Sequence, residues 1–305
     1  SLAQADPEGE LGSLLAILHW ESGRDEIESV FKRRLQGLVV WGGEESLQAY
    51  RRGLAIGCKL VAFGPKISFA VATRAGLRHH GLAQSARRVA RDTALWDQNA
   101  CASPQTLFVQ GGKPAALLAR LCAEFERLER ELPPGRLAPD AAAELVEQRH
   151  RALAAELQGR GELRAGKGWS VAWRRDGGLA ASPLNRYLQV RSFRALPDLL
   201  EAIRPHRAYL QSAGLLAAPG ELASWSAALA GAGLTRVPEA GKMLEARSGE
   251  PHDGRYPLAE LVRWSSAPAE TAGDDEGAYA ALLGQAAAHS PFYRRRLSRP
   301  GRVPP

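Results

Sequence analysis

The spacing of apolar residues along the chain switches repeatedly between the period of a helix and that of a strand. Apolar positions three and four residues apart predict helices within residues 1–36, where leucines fall at 11, 14, 15 and 18, and over 44–52, 82–95, 113–132, 138–157, 197–203 and 221–230. Short runs rich in β-branched and aromatic residues predict strands at 37–41, 59–66, 67–71, 106–109, 169–173, 187–193 and 235–238. Strands that alternate with helices indicate an α/β architecture.

Composition narrows the class of protein. The chain has 305 residues, of which 45% are hydrophobic and 24% charged, which is typical of a globular protein large enough for two or more units. Its three cysteines, Cys58, Cys101 and Cys122, are an odd number without a C-x-x-C pair, so neither a disulfide framework nor a metal site is predicted. A reducing, cytoplasmic environment fits this cysteine usage best.

The chain shows no sign of secretion or of a membrane span. No run approaches the roughly 18 apolar residues that a spanning helix needs, and the first residues lack the order of a signal peptide. The chain begins at Ser1 and its single methionine is Met243, from which we expect a piece of a longer protein.

The net charge of +7 is compatible with nucleic acid, anionic lipid or phosphorylated small molecules as partners. The arginines are spread over many segments and often stand beside acids, as in residues 124–130. This scatter favours a solvated surface over a nucleic-acid groove, so we expect no nucleic-acid partner.

Cys101 is the residue with the clearest candidate chemistry. It lies in a turn of small and polar residues, 95–105, between a predicted helix and a predicted strand. A thiol in such a turn is accessible to substrate and to backbone N–H donors, which predicts a nucleophile. The alternative is an inert cysteine that packs as a small apolar residue.

The neighbours of Cys101 suggest how the turn is organised. Gln98 and Asn99, with Asp97, are candidates for positioning the thiol, and the Cys101 backbone N–H for stabilising an oxyanion. The alternative is that these short side chains only satisfy the backbone of the turn. His79 and His80, about twenty residues upstream, are candidates for a general base, and the alternative is that they are surface residues of an exposed loop, as the flanking Arg78 and Gly81 indicate.

A strand, Gly42-Gly43 and a helix follow one another near the start of the chain. This layout lets a diphosphate approach the unpaired N–H groups at a helix start. The complete G-x-G-x-x-G pattern is missing, so an ordinary tight turn is the alternative.

Four motifs in one order resemble the long-chain acyl reductases of bacterial luminescence, the LuxC family of the aldehyde dehydrogenase superfamily. They are Val39-Val40-Trp41-Gly42-Gly43-Glu44-Glu45, Phe63-Gly64-Pro65-Lys66-Ile67-Ser68, Asp97-Gln98-Asn99-Ala100-Cys101-Ala102-Ser103-Pro104-Gln105, and His252-Asp253-Gly254-Arg255 with Leu261-Val262-Arg263. The resemblance covers about residues 1–264. It implies an aldehyde-dehydrogenase-like α/β fold, with residues 1–72 as the later part of a Rossmann-type NAD(P) domain and residues 73–268 as the catalytic domain.

The resemblance also implies a chemistry. Cys101 would take an acyl group from acyl-CoA or an acyl-adenylate, NADPH would reduce the thioester to an aldehyde, and Gly42, Gly43 and Lys66 would lie on the cofactor side. With the earlier half of that domain outside the chain, we expect weak NADPH binding by this chain alone, and a homo-oligomer for the protein.

One position departs from the superfamily pattern. Ala62 stands where a glutamate, or in the luminescence enzymes a histidine, is expected as general base. Its loss argues against the first alternative, an NAD-dependent aldehyde dehydrogenase, because hydrolysis of an acyl-enzyme needs a base to activate water. The second alternative is a non-catalytic acyl- or nucleotide-binding module.

The end of the chain changes in composition. The stretch 265–268 is rich in Ser, Ala and Pro, and Gly and acidic residues follow, which predicts a linker at 269–277. Residues 278–305, with His289-Ser290-Pro291-Phe292-Tyr293, resemble the start of an adenylating domain of the phenylacetate-CoA ligase or acyl-protein synthetase type. The alternative is an ordinary amphipathic helix with a basic end.

Overall fold

The computed structural model describes residues 6, 8–10, 12–263 and 265. The chain divides into two compact units, Ser1–Glu260 and Leu261–Pro305. Apart from the last residue of a short helix, the described helices and strands lie in the first unit. The predicted linker at 269–277 and the predicted adenylating segment at 278–305 lie outside the described residues.

A two-stranded parallel sheet comes first along the chain. Its strands are β1 (Gly37–Trp41) and β2 (Lys59–Phe63), with Gly37 opposite Lys59. Helix α1 (Asp25–Arg34) precedes it and α2 (Glu44–Arg51) connects the two strands. Acids fill the first turn of α1 and bases fill the last, which complements the helix dipole.

A six-stranded sheet forms the core of the first unit. Its spatial order is β5-β6-β7-β4-β3-β8, with β5 antiparallel to β6 and every other pair parallel. The strands are β3 (Ile67–Ala72), β4 (Pro104–Gln110), β5 (Gly161–Ala165), β6 (Ser170–Arg174), β7 (Tyr187–Phe193) and β8 (Leu210–Leu216). Every residue of β3 and β8 is buried, as expected for parallel strands covered on both faces.

Helices cover both faces of this sheet. On one face α4 and α5 enclose a core that includes Val89, Leu121 and Phe125, and on the other α7 and α8 enclose one that includes Phe69 and Leu199. The helices are α3 (Arg74–His80), α4 (Leu82–Ala94), α5 (Ala115–Glu131), α6 (Pro139–Leu157), α7 (Leu196–Ile203), α8 (Leu222–Ala232) and α9 (Pro257–Leu261). Within the described part of the chain, no helix combines the length and the apolar character that crossing a membrane requires.

The predicted α/β class is confirmed, while some predicted elements are wrong. The first described residues form a single 3-10 turn, Gly12–Leu14, and Leu14, Leu15 and Leu18 are exposed. The strand predicted at 235–238 is reduced to isolated bridges to β8, and His79-His80 end a helix instead of lying in a loop. Strand β3 belongs to the six-stranded sheet, because it pairs with β4 and β8, and the domain boundary between residues 72 and 73 stays a prediction.

Asp92 is a buried carboxylate that attaches the loop after residue 238 to α4. It is 1% exposed, and its two oxygens accept the backbone N–H groups of Gly241 at 2.5 Å and Met243 at 3.3 Å. Burial raises the pKa of Asp92 from 3.8 to about 6.

We expect this carboxylate to make stability pH-dependent in an unusual direction. Because the folded-state pKa lies above the unfolded one, the contribution of Asp92 is fully present below about pH 4 and is lost as pH rises through 6. We compare the free energy of unfolding of Asp92→Asn with that of the parent at each pH. The difference, variant minus parent, should be roughly 2–3 kcal/mol more positive at pH 7 than at pH 4. Urea unfolding of both proteins at the two pH values measures this change, and a difference that does not vary with pH would contradict it.

Candidate active site

The turn that carries Cys101 has an unusual backbone. After α4 ends, a 3-10 turn spans Leu95–Gln98, in which Trp96, Asp97 and Gln98 have φ values of 55°, 48° and 64°. These values lie in the left-handed region, which costs non-glycine residues about 1–2 kcal/mol each. Three such residues in a row require strong contacts to hold them.

An ion pair supplies the strongest of these contacts. Asp97 accepts from the Arg186 guanidinium at 2.6 Å through one oxygen and from the Gly135 N–H at 2.9 Å through the other. Arg186 is 2% exposed and also donates to the Leu132 carbonyl at 2.9 Å. It ends a second left-handed run, residues 184–186, so the pair joins two strained segments.

The amides predicted to position the thiol are used within the turn. Gln98 is fully buried, and its Nε2 donates to the carbonyls of Pro104 at 2.9 Å and Tyr187 at 3.1 Å. Asn99 Nδ2 donates to the Asp97 carbonyl at 3.0 Å. Among the hydrogen bonds of the described residues, neither amide donates to the Cys101 thiol, so their contacts fit a role in shaping the turn.

The Cys101 side chain is exposed and meets a residue from another strand. Its Sγ lies 3.3 Å from Gln211 Nε2, and its carbonyl accepts from Ser68 Oγ at 2.7 Å. Ser68 lies at the start of β3 and Gln211 at the start of β8, while Cys101 precedes β4. Since β4, β3 and β8 are neighbours, the amino ends of three parallel strands bring these residues together.

Gln211 connects the thiol to a carboxylate. Its Nε2 also donates to Asp253 Oδ1 at 2.5 Å. A carboxylate oxygen accepts hydrogen bonds, so the contact with Asp253 requires the NH₂ group of Gln211, and not its oxygen, at this position. The same NH₂ group therefore points toward Cys101. The remaining Gln211 oxygen lies 3.5 Å from Ser68 Oγ.

Asp253 lies in a tight turn, residues 252–255, that also reaches the end of β2. Asp253 and Gly254 have φ values of 50° and 74°, and His252 and Arg255 exchange two backbone hydrogen bonds. Arg255 donates to the Ala62 carbonyl at 3.1 Å, and the His252 ring stands edge-on to Phe63 with centroids 4.7 Å apart. Ionisable side chains of this turn therefore lie beside the position where Ala62 replaces the expected base.

The predicted cofactor-side residues lie at the ends of β1 and β2. The Gly42 N–H donates to the Phe63 carbonyl at 3.2 Å, and Gly43 is the N-cap of α2, with no side-chain cap. A Cβ on Gly43 would meet nothing within 4 Å, so the helix start is open. Glu44 at this start accepts from the Tyr209 hydroxyl at 2.5 Å, and Lys66 is half-buried between β2 and β3.

The histidines considered as a base lie elsewhere. His79 and His80 end α3, which follows the carboxyl end of β3, whereas Cys101 is at the amino end of the neighbouring strand. His80 Nε2 lies 3.2 Å from the Ala217 carbonyl, and burial lowers the pKa of this ring. These positions exclude a direct proton transfer to Cys101. No group of three or more His, Cys, Asp or Glu side chains among the described residues is arranged to hold a metal ion.

Comparison with known proteins decides the family. A family model described as acyl-CoA reductase (LuxC) matches residues 1–264. The chain belongs to the LuxC family. The resemblance inferred from the four sequence motifs is thereby confirmed.

Relatives of this LuxC chain carry long-chain acyl reductase names. The long-chain acyl-protein thioester reductase of Vibrio harveyi is 26% identical over 269 residues, which cover 87% of this chain and 54% of that protein. The protein of the same name from Photorhabdus luminescens is 25% identical over 268 residues, with the same coverage. The LuxC chain therefore spans about half the length of the curated relatives that it matches.

Solved structures show that the fold is that of aldehyde dehydrogenases. The Δ-pyrroline-5-carboxylate dehydrogenase of Mycobacterium tuberculosis superposes with a TM-score of 0.56 at 13% identity and covers 82% of this chain and 54% of its own. An aldehyde dehydrogenase of Brucella melitensis biovar abortus 2308 gives a TM-score of 0.54 at 11% identity, covering 72% and 47%. The predicted aldehyde-dehydrogenase-like architecture is confirmed.

Proposed function

We propose that this LuxC protein reduces an activated fatty acyl group to an aldehyde through a thioester on Cys101. The observation that carries the proposal is the exposed thiol with the Gln211 amide 3.3 Å from its sulfur. The turn that presents this thiol is held by the Asp97–Arg186 ion pair in a strained backbone. Such a device is typical of sites where a reactive group must keep one position.

Acyl transfer starts from the thiolate of Cys101. The sulfur attacks the carbonyl carbon of acyl-CoA or an acyl-adenylate, the new C–S bond forms, and the CoA thiolate or AMP leaves. NADPH, when bound, supplies the hydride for the reduction. Release of aldehyde breaks the C–S bond and returns the electron pair to the sulfur.

Gln211 and Asp253 contribute to this site as positioning residues. The Gln211 NH₂ group has two N–H donors, one for the sulfur and one for Asp253. A donor beside the sulfur can stabilise the negative charge that develops on it when the C–S bond breaks. The Asp253 contact keeps the amide from turning its oxygen toward the thiolate, which would repel it.

The open helix start at Gly43 is compatible with the phosphates of a dinucleotide. The first-turn N–H groups of α2 have no side-chain cap, and Gly43 leaves free space in front of them. Gly42, Gly43 and Lys66 would hold the cofactor on this side. The carboxylates of Glu44 and Glu45 in the same turn limit how much negative charge this site tolerates.

Ala62 favours reduction over oxidation. The methyl group has no proton-accepting atom, so the position that would activate water for hydrolysis of the thioester is inert. The protein should therefore form aldehyde from acyl donor rather than acid from aldehyde. An acyl-adenylating module, a homo-oligomer and a cytoplasmic location stay predictions for the same protein.

Product analysis tests the proposed reaction. Full-length protein is incubated with tetradecanoyl-CoA and NADPH, or with NADH, and aldehyde is trapped as its hydrazone. We expect trapped aldehyde in proportion to NADPH consumed, with lower turnover on NADH. Consumption of tetradecanal with NAD to give acid would instead indicate an aldehyde dehydrogenase, and tight binding without turnover would indicate a binding module.

We expect Gln211→Leu to slow the reaction without removing the nucleophile. The variant loses the N–H donor beside the sulfur and leaves the Asp253 carboxylate without its amide partner. Because the sulfur loses this hydrogen bond, the rate of Cys101 alkylation by iodoacetamide at pH 7 and the rate of acylation should each fall roughly tenfold. Gln158→Leu, at an exposed position after α6, is the matched control. Equal alkylation rates in Gln211→Leu and the parent would remove Gln211 from the mechanism.

A further inference from the structure

A basic cavity lies at the carboxyl ends of β4, β6 and β7. Its larger part, about 530 Å³, is lined by the segment 111–113, by Trp173 and Arg175 after β6, and by Arg194 after β7. A neighbouring part of about 350 Å³ shares Arg175 and Arg194 and extends to Gly177. The carboxyl ends of adjacent parallel strands are where α/β proteins most often bind ligands.

The cationic side chains of the basic cavity exceed the carboxylates available to them. Arg175 and Arg194 are exposed, and neither forms an ion pair within the described part of the chain. Asp198 lines the cavity, and one of its oxygens accepts the backbone N–H groups of Arg194 and Ala195 at the start of α7. Lys113, by contrast, forms an ion pair with Glu162, with 2.5 Å between its Nζ and a carboxylate oxygen.

Acidic residues near the basic cavity do not neutralise Arg175 and Arg194. Asp176 lies 3.9 Å from Arg174, the residue that ends β6. Glu162 is shared between Lys113 and Arg164. Three cations therefore line the two parts of the cavity, namely Lys113, Arg175 and Arg194, against one carboxylate, that of Asp198.

A buried arginine, Arg191, lies next to this cavity. Arg191 on β7 is 6% exposed and has no carboxylate partner among the described residues. It donates to Gln189 Oε1 at 2.7 Å and to the Val190 carbonyl at 3.0 Å, while its Nε has no acceptor. That Nε is 3.3 Å from where a Cβ on Gly177 would stand, so the guanidinium lies directly behind a residue that lines the cavity.

A buried cation without a counter-charge carries a large free-energy cost. Burial lowers the pKa of Arg191 to about 10, which expresses that cost. An anion on the cavity side of Gly177 would offset it. Arginine guanidinium groups present paired N–H donors that match the oxygens of phosphate.

Backbone groups at the same edge provide further donors. Helix α5 begins at Ala115 after Pro114, and no side chain caps its first turn. Gly112 precedes it at an exposed position, where a Cβ would meet nothing within 4 Å. The segment 111–113, which lines the cavity with Arg175 and Arg194, leads directly into this uncapped helix start, and such a start is a favourable place for a phosphate group.

We propose that the basic cavity binds a phosphate-bearing small molecule of nucleotide size. Its larger part falls within the range of about 300–1,000 Å³ typical of small-molecule sites. It lies apart from the thiol, because β4 runs roughly 20 Å from the Cys101 turn to this edge. The proposal does not depend on the acyl chemistry at Cys101.

Binding to the full-length protein tests the proposal directly. Inorganic pyrophosphate and ADP are titrated calorimetrically into the parent, the double variant Arg175→Gln/Arg194→Gln and the control Arg120→Gln, which removes an exposed arginine of α5. All titrations are made at one ionic strength set with sodium chloride. We expect saturable binding of both probes, with ADP tighter, and an affinity at least tenfold weaker in the double variant only.

Four results would overturn the proposal. The first three are no saturable binding of pyrophosphate or ADP to the parent, equal affinities in the parent and the double variant, and equal losses of affinity in the double variant and Arg120→Gln. The fourth is an affinity for ADP no higher than that for pyrophosphate, because the cavity would then hold phosphate alone and not a ligand of nucleotide size. Circular dichroism of the double variant shows whether it is folded. Arg175→Gln and Arg194→Gln singly, each expected to weaken binding, replace the double variant if it is not.

Discussion

Cys101→Ala should abolish aldehyde formation by the full-length protein, with a loss of at least a thousandfold in acyl-CoA reduction. The variant lacks the atom that forms the thioester, and no other described cysteine is as exposed. The alanine fits the turn because the Cys101 side chain is not part of the core. Reduction rates with tetradecanoyl-CoA and NADPH measure the effect.

Cys122→Ala is the matched control for this prediction. Cys122 lies on α5 and packs against the core, and burial raises the pKa of its thiol, so it is less prone to form a thiolate. We expect its variant to keep activity within about twofold of the parent. An active Cys101→Ala protein would assign the nucleophile to another residue.

Asp97→Ala should give the largest loss of stability among changes at the site. Arg186, which is 2% exposed, would be left as a buried charge without its carboxylate partner. The left-handed turn would also lose its main contact. We expect the free energy of unfolding to fall by about 3–5 kcal/mol in urea titrations.

Two variants separate the ion pair from general damage. Asp176→Ala breaks the exposed contact with Arg174 at 3.9 Å and should change stability by less than about 0.5 kcal/mol. Asp97→Ala/Arg186→Met removes both charges and should be more stable than Asp97→Ala, because no buried charge is left unpaired. A double variant less stable than Asp97→Ala would contradict this account of the turn.

Much of the fold could be predicted because buried elements with strong patterns leave clear signals. Strand β7 was predicted with the observed bounds, since Leu188 and Val190 face one core while Phe193 faces the other. The long helices were predicted to within three residues at each end. The leucines at 14, 15 and 18 show the limit of periodicity, because they have the spacing of a helix but no surface to cover.

Strand β8 was missed for a physical reason. Its sequence, Leu210-Gln-Ser-Ala-Gly-Leu-Leu216, has no β-branched or aromatic residue, and its second and third residues are polar. It is a strand because the sheet buries it against β3 and the segment 235–239. One of the polar residues that make this strand hard to predict, Gln211, is also the residue that contacts the Cys101 thiol.

The site was only half predictable for the same reason. Local residues identified the Cys101 turn, but Gln211 and Asp253 reach it from 110 residues and more away along the chain. Their approach depends on the strand order β4-β3-β8, which local patterns do not contain. The Asp253-Gly254 pair is a common signal of a tight turn, and it predicts the turn but not its contact with Gln211.

Mapping the covalently bound acyl group tests directly whether Cys101 is the residue that becomes acylated. Full-length protein is incubated with labelled tetradecanoyl-CoA without NADPH, denatured, digested and mapped by mass spectrometry. We expect one tetradecanoyl group on the peptide that contains Cys101, removed by hydroxylamine and lost when NADPH is added before denaturation. A label on another residue, or no covalent label on a protein that still makes aldehyde, would contradict it.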